Sequence, residues 1–227
     1  MAVPDWYTGT DTSGEVAQTI ETVIERMDAE AADHADIDRL HRLLELERDA
    51  NWRSFLLGLA GTIHYELEEE EDAADVLRRS IDGYRIFLES FDGVVNVYTQ
   101  SCYTLGVILH DAERFTEATT YLLRCLPFMH EVFDDVYVAN VHMFLESCYA
   151  ETGQAEQGLV FAEAAVFAQP EDCESLERLM IAYGTTGQQL KASEVFHLIA
   201  TRCRNHESFA RVAEWAERHL GETGIIN

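Results

Sequence analysis

Two stretches decide the fold: Leu145-Glu146-Ser147-Cys148-Tyr149-Ala150-Glu151-Thr152-Gly153-Gln154 and Leu179-Met180-Ile181-Ala182-Tyr183-Gly184-Thr185-Thr186-Gly187-Gln188. Leu, Tyr, Thr, Gly and Gln recur at a shift of 34 residues. A fixed period of about 34 residues marks a helical-hairpin repeat, and such hairpins stack into solenoids. A solenoid usually works as a surface that holds something else.

Working outward, the whole chain reads as helix. Apolar residues recur at steps of three and four, only three prolines interrupt 227 residues, and no convincing period-two segment is present. An apolar content of 47% supplies a continuous core, and 10% aromatics argue against disorder. The expected fold class is all-α, a right-handed α-solenoid of helical hairpins with about 11 helices.

The net charge of −26 excludes partners as well as describing the surface. Nucleic acid needs Lys and Arg to neutralise its phosphates, and an anionic membrane face is disfavoured for the same reason. Lys191 is the only lysine. Two origins fit the charge: adaptation to molar intracellular salt, or an arginine- and acid-favouring codon bias. The acidic excess favours the first, because at about 1 M salt the Debye length is about 3 Å and self-repulsion is screened. The five cysteines have no close pair and fall in apolar helical stretches, so reduced thiols in a cytoplasmic protein are expected. No basic segment followed by an apolar run opens the sequence, and no stretch reaches 18 apolar residues.

Capping signals place the helices. Thr12 and Glu15 read as a capping box for a helix running to about Glu30. Asp36 is the expected cap of a second helix and Asp49 of a third. The acidic run Glu68–Asp72 marks the turn to a helix over about Asp72–Ser90. Further pairs are expected over Gly93–His110 with Phe115–His130, Asp135–Glu151 with Ala155–Ala168, and Asp172–Tyr183 with Gln188–Cys203. A last helix over His206–Leu220 closes the stack. The expected organisation is one continuous solenoid domain. Residues 1–50 hold a lead-in and two helices, 51–204 four hairpins, and 205–227 a capping helix and tail.

On these residues the chain resembles the tetratricopeptide repeat (TPR) family. Leu105-Gly106, Ala118 and Leu122 fit its pattern in one hairpin. Leu145, Tyr149, Gly153, Ala165 and Pro170 fit in the next, and Leu176, Leu179, Tyr183, Gly187, Ala192 and Phe196 in the last. Ala60-Gly61, Ala73 and Leu77 match more weakly, and there the turn glycine is missing. Small residues let helices approach, and Gly153 and Gly187 suit a left-handed turn. Aligned on Gly61, Gly106, Glu146 and Met180, the hairpins are 45, 40 and 34 residues apart, so the earlier ones need longer helices or loops.

Chemistry is not expected. There is no Gly-x-Ser-x-Gly elbow, P-loop or dinucleotide-binding glycine pattern. His130-Glu131 lacks the second His of a zinc-protease helix. His64 with Glu68, and His34 with Asp33, Asp36 and Asp38, are pairings that 42 carboxylates produce by chance. The sequence therefore implies no enzyme, no metal and no cofactor.

The resemblance implies that the first helix of each hairpin lines a concave face. By position this gives Tyr65, Gln100, Tyr103, His110, Asn140, Met143, Ser147, Glu174 and Glu177 as partner-binding residues, with Val107 and Ile181 beside them. None is Lys or Arg, which disfavours a clamp on a peptide carboxylate. The expected function is a cytoplasmic scaffold binding a protein or peptide segment that is apolar or carries arginine. The alternatives are a self-assembling structural subunit, hence a homo-oligomer, and a regulatory ligand-sensing helical domain.

Overall fold

A computed structural model describes residues 14–84 and 92–220. The lead-in with Thr12, the stretch expected to extend a helix to Ser90, and the tail lie outside them. Twelve α-helices occur among the described residues, eleven of at least eleven residues and one of a single turn, and no strand. They are α1 (Glu15–Asp28), α2 (His34–Leu46), α3 (Ala50–Glu66), α4 (Glu70–Gly83), α5 (Asp92–Asp111), α6 (Phe115–Cys125), α7 (Met129–Val132), α8 (Asp135–Glu151), α9 (Ala155–Ala168), α10 (Cys173–Thr185), α11 (Gln189–Arg202) and α12 (Phe209–Leu220). The chain divides into two compact units, Met1–Ala112 and Glu113–Asn227.

In the first unit α3 is central. It pairs with α4 and also contacts α1, α2 and α5. Val16, Ile20 and Val23 of α1 meet Leu40 of α2 and Phe55, Leu56 and Ile63 of α3 in a buried core. Each such side chain contributes roughly 1.5–3 kcal/mol by leaving water. Two glycines make the close approach feasible. A Cβ at Gly58 would lie 2.4 Å from Val97 Cγ1 of α5, and one at Gly61 would lie 2.7 Å from Leu77 of α4.

The caps differ from expectation at two helices. Gly14, in the left-handed conformation and with no side-chain cap, precedes α1. For α2 the cap is Asp33, whose carboxylate accepts from the Ala35 amide, while Asp36 occupies the third helical position and accepts from the Asp33 amide at 3.1 Å. Asp36 is fully buried because it is an ionic anchor as well: Arg26 Nε donates to it at 2.7 Å and Arg39 adds a second bond. Asp49 caps α3 as expected, accepting from the Asn51 and Trp52 amides.

The turns share one geometry. Left-handed residues follow α1 (Glu30), α3 (Glu68), α5 (Glu113), α8 (Gly153) and α10 (Gly187). The amide after the left-handed residue returns to a carbonyl five residues back in four of them: Ala31 to Arg26, Glu69 to His64, Gln154 to Tyr149 and Gln188 to Tyr183. The turn after α1 thus belongs to the same series as those after α8 and α10. The turns are 38, 45, 40 and 34 residues apart. The 40-residue interval contains a 3-10 turn at Leu126–Phe128 followed by α7. That corrects the helix expected over Phe115–His130: it ends at Cys125, because Pro127 has no amide to continue the ladder.

In the second unit α8 pairs with α9 and α10 with α11. α6 packs on α8, and α12 lies on α10 and α11. Leu176, Met180, Val195, Ile199, Val212 and Leu220 form its core with Tyr183. Tyr149 stacks on Phe161 with centroids 5.4 Å apart, and Tyr183 donates to Glu163 at 2.7 Å. The thiol expectation is overturned at one pair. Cys173, at the start of α10, is bonded to Cys203, just after α11, across a separation of 30 residues. The pairing comes from the fold, since the α10–α11 hairpin returns the chain to within a Cα–Cα distance of 5.8 Å. Cys102, Cys125 and Cys148 are buried and outside the disulfide.

Candidate functional site

A concavity of about 680 Å³ in the first unit lies on α1, α3 and α5. Its floor is apolar: Ile24 and Met27 from α1, Phe55 and Leu59 from α3, and Val97 from α5. Phe55, Leu59 and Val97 are themselves core residues, so the floor is fixed by packing. The rim is acidic, with Glu21, Glu25 and Asp28 one helical turn apart on α1 and Glu66 at the end of α3. Asn96 and Gln100 of α5 add amides, and no Lys or Arg lines it. Burial and the nearby Glu30 carboxylate push the Glu66 carboxyl above its ordinary range. One residue before Glu66, Tyr65 is raised by burial, then by Asp111 and Glu70. At Glu66, the Glu30 contribution marks a rim whose field repels anions and favours a cation.

A second concavity, about 260 Å³, belongs to the second unit and lies on α8, α10 and α12. Glu146, Ser147, Glu174 and Glu177 face it together with Arg178 and Arg211. Here both arginines are already paired. Arg178 reaches Glu146 at 3.3 Å and Glu174 at 3.4 Å, and Arg211 reaches the buried Glu177 at 2.8 Å.

The residues expected to bind a partner separate accordingly. Gln100 lines the first concavity, and Ser147, Glu174 and Glu177 line the second. Tyr65, Tyr103, His110, Asn140 and Met143 line neither. Tyr65 is 37% exposed, Tyr103 and Asn140 are half-buried, and His110 Nδ1 lies 3.1 Å from Asp111. Met143 is buried, its sulfur accepting from the Ser175 hydroxyl at 3.5 Å between α8 and α10. Val107 is buried too, whereas Ile181 faces the second concavity.

Sequence reasoning placed α1 but assigned none of its residues to a site, because that helix precedes the resembling repeats. Its signal was available: Glu21, Glu25 and Asp28 fall at steps of four and three beside Ile24 and Met27. It also missed Arg178 and Arg211, so the groove is not free of arginine as expected. The four-residue step from Glu174 to Arg178 was the readable sign of one.

No family model and no curated protein matches the chain. Solved structures do. A crystal structure of YrrB, described as a TPR protein with an unusual peptide-binding site, superimposes with a TM-score of 0.68 at 16% identity, covering 90% of this chain and 92% of that one. The apo form of RapI gives 0.64 at 14% identity, over 93% and 80%. MamA from Desulfovibrio magneticus RS-1 gives 0.62 at 15% identity, over 91% and 100%. The fold is that of the TPR-like helical-repeat solenoids. At these identities the likeness shows the fold alone. Among the described residues no helix is long and apolar enough to cross a membrane.

Proposed function

We propose that the protein is a non-catalytic interaction scaffold whose first unit captures a cationic amphipathic segment of a partner protein in the α1–α3–α5 concavity. One observation carries the reading: an apolar floor set inside four carboxylates with no cation among the lining residues. Such a site rewards a segment that presents an apolar face flanked by arginine, and it discriminates against acidic segments by repulsion. That YrrB is a TPR protein with a peptide-binding site supports a peptide as the class of ligand. The second concavity, with its arginines held by glutamates, is read as the weaker contact.

The test uses two synthetic peptides of one apolar pattern, one flanked by arginine and one by glutamate. The arginine peptide binds, and the glutamate peptide does not. Reversing the rim with Glu25→Arg and Asp28→Arg on exposed positions of α1 exchanges the preference. If both peptides fail, or if the reversed rim keeps the original preference, the reading falls.

A second reading, self-association, draws on exposed apolar residues of the second unit. Val160 and Phe167 are 63% and 89% exposed and seven residues apart on α9, and Leu190 is 70% exposed on α11. Mass by light scattering decides it: a dimer that Phe167→Asp dissolves supports this reading, and a monomer at all concentrations excludes it.

A further inference from the structure

Glu69 stands between two histidines from different helices. It is the residue that precedes α4, and its two carboxylate oxygens are used separately. Oε2 lies 2.7 Å from Nδ1 of His64, near the end of α3, and Oε1 lies 2.9 Å from Nε2 of His34, the first residue of α2. Asp72, in the first turn of α4, completes the group: ligand atoms of His64, Glu69 and Asp72 all lie within 4.8 Å of one another. Among the described residues this is the only convergence of three or more His, Cys, Asp and Glu side chains. A chain with 42 carboxylates would produce all-acidic clusters by accident. The cluster it produces contains an imidazole and touches a second.

The start of α4 favours the Asp72 carboxylate, which also brings a like charge toward Glu69. A cation between them reverses the sign of that interaction. We propose that His64, Glu69 and Asp72, with His34 as fourth ligand, bind one divalent transition-metal ion of the Zn²⁺ class. Two imidazoles with two carboxylates suit Zn²⁺, Co²⁺ or Ni²⁺ and fit poorly with Ca²⁺ or Mg²⁺, which take oxygen ligands in larger number. Ligands at about 2.0–2.2 Å around a tetrahedral ion stand roughly 3.4 Å apart, so Glu69 gives way by about half an ångström. Asp72 is exposed and His34 is 70% exposed, so both have room to turn in. The ion would tie the start of α2, the end of α3 and the start of α4 into one clip. The pairings visible in the sequence were different ones, His64 with Glu68 and His34 with its own aspartates. The left-handed turn at Glu68 is what presents Glu69 instead.

The test is a titration of the chelator-stripped full chain with Co²⁺, followed by displacement with Zn²⁺. One equivalent of Co²⁺ should develop visible d–d absorption of a four-coordinate site, and Zn²⁺ should erase it. The metal should also slow amide exchange in α2, α3 and α4. His64→Gln and Asp72→Asn should each weaken binding by at least about tenfold. Asp72 is exposed, so its variant keeps the fold. Glu156→Gln with Glu207→Gln, exposed and elsewhere, should change nothing. Absence of a saturable one-equivalent site overturns the proposal. So does binding that survives both His64→Gln and Asp72→Asn, since that is ion condensation on an acidic surface.

Discussion

The turns early and late in the chain share a backbone and differ in residue. After α8 and α10 the left-handed position is Gly153 and Gly187, with φ of 75° and 78°. After α1, α3 and α5 it is Glu30, Glu68 and Glu113, with φ of 51°, 62° and 58°. A left-handed conformation costs an L-residue roughly 1–2 kcal/mol, a cost that glycine escapes. Glu30 and Glu68 hold it because the returning amide bonds from Ala31 and Glu69 and the packed helices on either side over-determine the turn. Glycine is therefore the visible marker of a geometry that the helices themselves impose.

The largest break between the two units is expected at the disulfide, which among the described residues only the second unit carries. Closing a 30-residue loop should stabilise that unit by about 3.6 kcal/mol. Cys173→Ser with Cys203→Ser, or a reductant, should speed amide exchange in α10 and α11 and leave α2 to α4 unchanged. Mass analysis finding five free thiols in air-oxidised protein would remove this contrast at once.

A smaller effect comes from exchanging the turn residues. No atom lies within 4 Å of a Cβ built on Gly153 or Gly187, so Gly153→Ala and Gly187→Ala test the backbone alone. Each should lower stability by about 1 kcal/mol. The reverse exchange, Glu30→Gly and Glu113→Gly, should raise it by about 0.5–1 kcal/mol, and Glu113→Ala should leave it near the parent value. Chemical denaturation measures all five. Equal losses from glycine and alanine at position 113 would mean that the glutamate side chain holds the turn.

This contrast also explains what the sequence made legible. The pairs α8–α9 and α10–α11 were placed to within two residues, because Gly153, Gly187, Asp172 and Tyr183 each announce a local requirement. The α1–α2 turn carried no such sign, since Glu30 looks like any surface acid. Asp36 was assigned as the cap because an aspartate directly before an apolar run reads as one, although Asp33 stands three residues earlier. Only the fold shows that Arg26, ten residues away, makes it a buried anchor. The same limit hid the first concavity, whose lining comes from α1, α3 and α5. Local periodicity reports which face of a helix is buried, and not which other helix arrives beside it. The Cys173–Cys203 bond and the His34–Glu69 contact were invisible for that reason.

The finest comparison concerns buried carboxylates. In the first unit, burial pushes Asp36 up, but Arg26, the Asp33 amide and Arg39 hold it below the ordinary range. In the second unit, Glu146 has a single partner, Arg178 at 3.3 Å. Burial dominates there and raises the Glu146 carboxyl, with Arg178 offsetting only part. A carboxyl raised on folding binds its proton more tightly in the native state than in the unfolded chain. Stability from this group is therefore fully present below the unfolded value near 4.5 and declines as pH rises through the raised one. Glu146→Gln should flatten that decline, leaving the second unit slightly more stable than the parent above the window and less different from it below. Urea midpoints across pH 4 to 7, read by amide exchange in α8, check this. A variant whose decline with pH matches the parent's would show that Arg178 fully compensates the buried charge, as Arg26 and Arg39 do for Asp36.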